Sequence, residues 1–235
     1  MGKFRKQHKM FIAEGSINVL DFIKSGLQPV DLFATETWLE KNSKLLTFEN
    51  VEKVSEKEFA RITALKNPSE VLAVFNLPEN KIPLPSKING LVLMLDDIKD
   101  PGNLGTIIRT ADWFGIKDII CSQQTVDAFN PKVVQATMGS LSRLNVSYFN
   151  LYEWLEGVEA ATNIYGAVLN GESIKEISKP KNDVLIIGSE AHGISAEVLK
   201  FVNKPITIPR AETGGAESLN ASIATAILLY AFLES

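Results

Sequence analysis

The sequence predicts an α/β protein built from two regions. Short apolar runs of strand length alternate with helical patterns along the chain. From about Gly90 onward those runs are continuously apolar, as in buried strands of a mostly parallel sheet. Between the regions lies "NLPENKIPLPSKING", Asn76 to Gly90, which is rich in proline and poor in apolar periodicity. Residues 1–78 are therefore expected to form a small α/β domain, 79–89 a linker, and 90–235 the larger α/β domain.

In the first region "SINVLDFIKSG" has a serine cap, apolar Ile17, Leu20, Phe22 and Ile23, and a terminal Gly26, so it reads as a helix. "VDLFATE" and "SEVLAVFNL" read as strands. "SEKEFARITAL" places Ser55 and Glu58 in capping-box spacing and reads as a helix. No catalytic constellation is visible here, and the expected role is binding. In the second region "GLVLMLDD" reads as a buried strand followed by a glycine turn and a helix. "DIIC", "LNVSYF", "NIYGAVLNG", "DVLIIGSE" and "KPITIPR" read as further strands. "NPKVVQATMGS", with Pro131 near its start and Gly139 near its end, reads as a helix, as does "LYEWLEGVEAA". The last helix, in "ESLNASIATAILLYAFLES", is apolar nearly all round after Asn220. Such a helix is buried or packs against a partner.

Composition narrows the function. Apolar residues make up 45% and charged residues 22% of 235, as in an ordinary soluble domain. The single cysteine, Cys121, excludes an internal disulfide and fits a reducing compartment. With only His8 and His192 beside it, no metal site is expected. The longest apolar run, Ile223 to Leu233, is shorter than the roughly 20 residues that span a bilayer, and no secretory signal opens the chain. The expected location is cytoplasmic, with no membrane partner. A net charge of −4 argues weakly against nucleic acid. Yet "MGKFRKQHKM" gathers Lys3, Arg5, Lys6 and Lys9 with no acid. It reads either as a phosphate-binding tail or as a solvated, frayed terminus.

Three loops carry the chemistry. In "DPGNLGTIIRTADWFG", Asn103, Thr106, Arg109 and Thr110 share about a third of a helical circumference, opposite Leu104, Ile107, Ile108 and Ala111. Asn103 stands where an N-cap would stand. A phosphate site and a plain capped helix both fit. In "IIGSEAHGIS" a buried strand breaks at Gly188 and Glu190 follows, beyond the carboxyl end of the strand, where parallel sheets bind ligands. An acidic turn capping "SAEVLKF" is the plainer reading, and His192 reads as a bystander. In "TIPRAETGGAESLNASIA" a glycine-rich loop brings Ser218 and Asn220 to the head of an apolar helix, where ordinary capping by Ser218 is the alternative. None of these is a dinucleotide, Walker or nucleophile-elbow motif.

In this order and spacing, "LDDIKDPGNLGTIIRTADWFG", "VLIIGSEAHGIS" and "IPRAETGGAESLNASIATAILLY" resemble the SpoU/TrmH family of RNA ribose 2′-O-methyltransferases, of the SPOUT superfamily. The N-terminal region resembles the substrate-binding domain that many members carry, itself similar to small ribosomal RNA-binding proteins. The resemblance implies a SPOUT-type trefoil knot, S-adenosyl-L-methionine as cofactor, and a homodimer formed through the knotted domain and last helix. It implies catalytic roles for Arg109, Asn103, Glu190, Ser218 and Asn220, and cofactor contacts at Leu169, Gly188, Ile208 and Leu219. It also gives Lys3, Arg5, Lys6 and Lys9 more weight as RNA contacts. The added N-terminal domain favours large-subunit ribosomal RNA over transfer RNA as substrate. A transfer-RNA ribose methyltransferase and a catalytically silent RNA-binding protein of the same fold are the alternatives. The loop "RAETGGAE" is longer than the family's usual pattern.

Overall fold

A computed structural model describes the chain except residues 1–4, 6, 47, 49, 178, 179, 212 and 235. The elements run β1 (Met10–Glu14), α1 (Ser16–Lys24), β2 (Pro29–Ala34), α2 (Glu36–Asn42), β3 (Val51–Lys53), α3 (Glu56–Ile62), β4 (Val71–Asn76), β5 (Val92–Asp96), α4 (Pro101–Trp113) and β6 (Asp118–Cys121). They continue with α5 (Pro131–Thr137), β7 (Asn145–Tyr148), α6 (Leu151–Glu156), β8 (Ile164–Ser173), β9 (Val184–Gly188), α7 (Ala196–Leu199), β10 (Lys204–Thr207) and α8 (Ala221–Glu234). Two compact units result. One holds Met1–Glu79 with Phe129–Arg143; the other holds Asn80–Ala128 with Leu144–Ser235.

The first unit is a four-stranded sheet in the order β1-β4-β2-β3, antiparallel except for the parallel β2–β3 pair. The expected Ser55–Glu58 capping box is formed at the start of α3. Helix α1 forms where expected, but its buried face is Asn18, Val19 and Phe22, and Ile17 is exposed. The reason lies in Phe129–Arg143. The Asn18 side-chain oxygen accepts from the Gly139 N–H at 2.8 Å, so a polar residue is buried at no loss of hydrogen bonding. The Phe129 ring lies 4.8 Å from that of Phe11, tilted by 51°, and Arg143 pairs with Asp21 at 2.7 Å. Gly139 has φ +88, and a Cβ there would lie 2.3 Å from the Asp21 carboxylate. This segment, part of the larger region in the linear pattern, therefore belongs to the N-terminal unit by contact.

The second unit is a six-stranded sheet in the order β10-β8-β9-β5-β6-β7, with every pairing parallel. Every residue of β5 is buried, as its unbroken apolar run predicts. The proline-rich stretch is pinned along this unit. Asn80 exchanges two hydrogen bonds with the Tyr148 backbone, and Trp154 donates to the Pro83 carbonyl at 2.7 Å. Between β8 and β10 the register jumps. Pro205 faces Gly166, but Ile206 faces Glu172, so residues 167–171 loop out from the sheet. Gly171 permits this, because a Cβ there would meet Ile206 backbone at 2.6 Å. Helix α8 packs beside α4; Leu228, Leu229 and Phe232 are buried, while Ile223 and Tyr230 stay exposed. Among the described residues no helix is long and apolar enough to cross a membrane.

Candidate active site

Helix α4 starts one turn earlier than its cap pattern suggested. Asp100, not Asn103, is the N-cap: its Oδ1 accepts from the Asn103 N–H at 2.8 Å, and Pro101 takes the first helical position. The residue before a proline is biased towards extended backbone, which suits a cap, and Asp100 is extended at φ −76, ψ 123. With the cap supplied by Asp100, the Asn103 side chain is free for other partners. The expected faces hold. Leu104, Ile107, Ile108 and Ala111 are buried, while Thr106 and Arg109 are exposed.

Asn103 is the centre of a bonded chain that joins all three loops. Its Nδ2 donates to Glu190 Oε1, and its Oδ1 accepts from Asn220 Nδ2 at 2.9 Å. Asn220 Oδ1 in turn accepts from Ser222 N at 3.0 Å and Oγ at 2.6 Å, at the head of α8. Glu190 is held by a tight turn. Ser189 and Gly193 exchange backbone hydrogen bonds of 3.1 and 2.9 Å, and the His192 N–H bonds Ser189 Oγ. Sequence reasoning missed one contributor. Asp96 is buried at the end of β5 and accepts from the Ser195 N–H at 2.8 Å, tying the Glu190 loop to the strand that leads to α4. The signal for it was an acid closing an apolar strand.

Beside this chain lies a cavity of about 950 Å³. Leu169, Gly188, Ile208 and Leu219 line it, together with Glu190 and Ser218. Its volume is in the range of small-molecule sites. Its walls are mainly aliphatic and backbone, and a Cβ at Gly188 would lie 2.1 Å from the Gly193 carbonyl carbon, so the glycine keeps one wall thin. Apolar walls for a flat heterocycle, backbone edges for hydrogen bonds and charged groups at the rim fit S-adenosyl-L-methionine. Arg109 stands apart from the bonded chain. Six residues beyond Asn103, it lies about 9 Å further along the helix axis, exposed and off the cavity lining. Of the expected RNA contacts, Arg5 is half-buried and Lys9 exposed, both in the first unit, while Lys3 and Lys6 lie outside the described residues.

Residues 90–230 match the SpoU rRNA Methylase family, and residues 1–73 match the MRM3-like substrate binding domain. The chain belongs to the SpoU rRNA methylase family. It is 35% identical to the Bacillus subtilis 23S rRNA (guanosine(2553)-2'-O)-methyltransferase RlmP, over 97% of this chain and 90% of that protein. The AdoMet-bound rRNA methyltransferase structure from Sinorhizobium meliloti superposes with a TM-score of 0.86 at 32% identity, covering 98% of this chain and 89% of the other. The TrmH/SpoU tRNA modifying enzyme of A. aeolicus is similar over less: 64% of this SpoU chain and 76% of its own, with a TM-score of 0.54 and 26% identity.

Proposed function

We propose that this SpoU-family chain methylates a ribose 2′-hydroxyl in large-subunit ribosomal RNA, with S-adenosyl-L-methionine as the methyl donor. The observation that carries the reading is the Glu190–Asn103–Asn220 chain at the edge of the apolar cavity. Support for a ribosomal substrate comes from similarity that spans both regions in the Bacillus subtilis enzyme but about two thirds of the chain in the transfer-RNA enzyme.

When bound, S-adenosyl-L-methionine supplies an electrophilic methyl group. Leu169, Gly188, Ile208 and Leu219 would hold it by apolar and backbone contact. Asn103, Glu190 and Asn220 lock the three loops together and so would fix donor and acceptor in orientation, a large source of rate gain in such a transfer. Ser218 contributes a hydroxyl at the cavity wall. Arg109 meets the phosphate next to the target ribose. Its guanidinium remains charged throughout, so it acts by orienting the RNA and stabilising negative charge on the acceptor oxygen as the hydroxyl proton passes to water. Lys3, Arg5, Lys6 and Lys9 add contacts to RNA phosphates.

The same reading includes a trefoil knot in the second unit, supported by its likeness to SpoU structures, and a homodimer through that unit. Trp113 on α4 is 85% exposed and Tyr230 on α8 is 64% exposed, and such rings are enriched at interfaces. The lone buried Cys121 fits a reducing cytoplasm.

The test offers ribosomal and transfer RNA, from a strain lacking this protein, to the purified enzyme with labelled S-adenosyl-L-methionine. Label in 23S RNA at one alkali-resistant linkage is expected. Label only in transfer RNA overturns the substrate. Binding of the donor with no transfer to any RNA, free or in ribosomal particles, overturns the enzyme reading in favour of a silent RNA-binding protein.

A further inference from the structure

The cavity rim carries two opposite charges that the proposed chemistry leaves unused. Arg210 and Glu217 both line it, both are exposed, and they stand at opposite ends of the loop that joins β10 to α8. This is the stretch in which the sequence exceeds the usual family pattern. Arg210 Nη1 donates to the Ala216 carbonyl at 2.9 Å, which draws the guanidinium to within one residue of Glu217. The Gly214 N–H tightens the loop by bonding the Ala211 carbonyl at 2.9 Å. Yet among the described residues no ion pair joins Arg210 to Glu217. The other acid of the cavity, Glu190, is engaged by Asn103.

A cation and an anion that line one cavity without pairing are complementary to a zwitterion. The methyl donor has one: an α-carboxylate and an α-ammonium on the same carbon of its methionine end. We propose that Arg210 receives the carboxylate and Glu217 the ammonium of that end, an assignment that rests on the donor reading above. Arg210 keeps four N–H donors after its bond to Ala216, enough to take a carboxylate with two. A polyanion fits less well: an RNA phosphate that Arg210 attracted would be repelled by Glu217 beside it. The longer loop thus sets donor recognition at the end remote from the adenine.

Isothermal titration separates the contacts. Wild type, Arg210→Gln and Glu217→Gln are each titrated with S-adenosylmethionine, with its decarboxylated form, and with 5′-methylthioadenosine, which lacks the amino-acid end. Loss of one charge-assisted contact weakens binding by about 10–100-fold. Arg210→Gln is expected to lose this for S-adenosylmethionine and not for the decarboxylated form. Glu217→Gln is expected to lose it for both, and neither variant for methylthioadenosine. Equal weakening of all three ligands overturns the proposal in favour of a loop-folding role. Unchanged donor binding with a raised KM for RNA overturns it in favour of an RNA contact, and unchanged behaviour in every assay overturns it outright. Failure of the wild type to bind S-adenosylmethionine at all sinks the donor reading itself, whereas tight wild-type binding without this ligand pattern sinks only the tail assignment.

Discussion

Arg109 and Asn103 share one helix face, but they stand in different surroundings. Asn103 is bonded to both Glu190 and Asn220, whereas Arg109 is exposed, where the proposed RNA substrate can reach it. Replacing Arg109 by Ala should therefore lower kcat by about 10²–10³-fold, the range for losing one preorganised charge-stabilising donor. Titration with S-adenosylmethionine should show an unchanged Kd. A fall in donor affinity of the same size would place Arg109 at the cavity instead. Gly188→Ala should do the opposite. Its Cβ meets Gly193 backbone at 2.1 Å, so the turn that carries Glu190 must shift. Overpacking of this kind costs about 1–3 kcal/mol, and a thermal melt together with donor titration should show lower stability and weaker binding. Cys121 is fully buried, and burial pushes its thiol well above the ordinary range. Ellman's reagent should leave it untouched at pH 8 in the folded protein and react once denaturant is added. The polar members of the site were legible because each interrupts an apolar pattern. Their partners were not, since Asn103 and Glu190 lie 87 residues apart and nothing local encodes that bond.

Among the elements, α4 and α8 decide the site. Both starts are governed by short polar side chains, and here the sequence misled by one turn: Asp and Asn are nearly equal as caps, and only the proline after Asp100 tells them apart. Asn220 does two jobs, capping α8 through its oxygen and holding Asn103 through its nitrogen. The two can be separated. Asn220→Ala should lose about 1 kcal/mol of cap energy and most of the turnover. Asn220→Asp should restore the melting temperature, because a carboxylate caps equally well, but not kcat, because it has no N–H to donate. Recovery of both by Asp would show that the Asn103 contact is dispensable. Strand β1 escaped the pattern reading: its five residues follow directly on the basic tail, and its alternation is visible only once Phe75 and Ala73 of β4 stand opposite Phe11 and Ala13. The outward loop at 167–171 was equally hidden. It depends on Gly171 letting Ile206 approach, which no strand propensity records.

On the scale of the molecule, the N-terminal unit is not one stretch of chain. It includes Phe129–Arg143, whose Phe129 ring, Gly139 N–H and Arg143 guanidinium complete the surroundings of Phe11, Asn18 and Asp21. A fragment ending at residue 79 would leave the buried Asn18 oxygen without its partner, a loss of about 1–3 kcal/mol before any apolar burial is counted. Such a fragment should melt well below the corresponding transition of the whole protein, and a peptide spanning 129–143 should raise its melting temperature. No effect of the peptide would mean that residues 1–79 are self-sufficient. The sequence by itself determined the α/β class, the order of strands and helices in the larger region, the buried face of α4 and the polar residues of the three loops. Each of these follows from the local period of apolar residues and from the polar residues that break it. Only the tertiary structure decided that Asp96 and Asn220 brace the loops, that a distant segment completes the first unit, and that Arg210 and Glu217 share one rim. Those depend on which residues far apart in sequence are brought within bonding distance, and that is fixed by the folding of the whole chain.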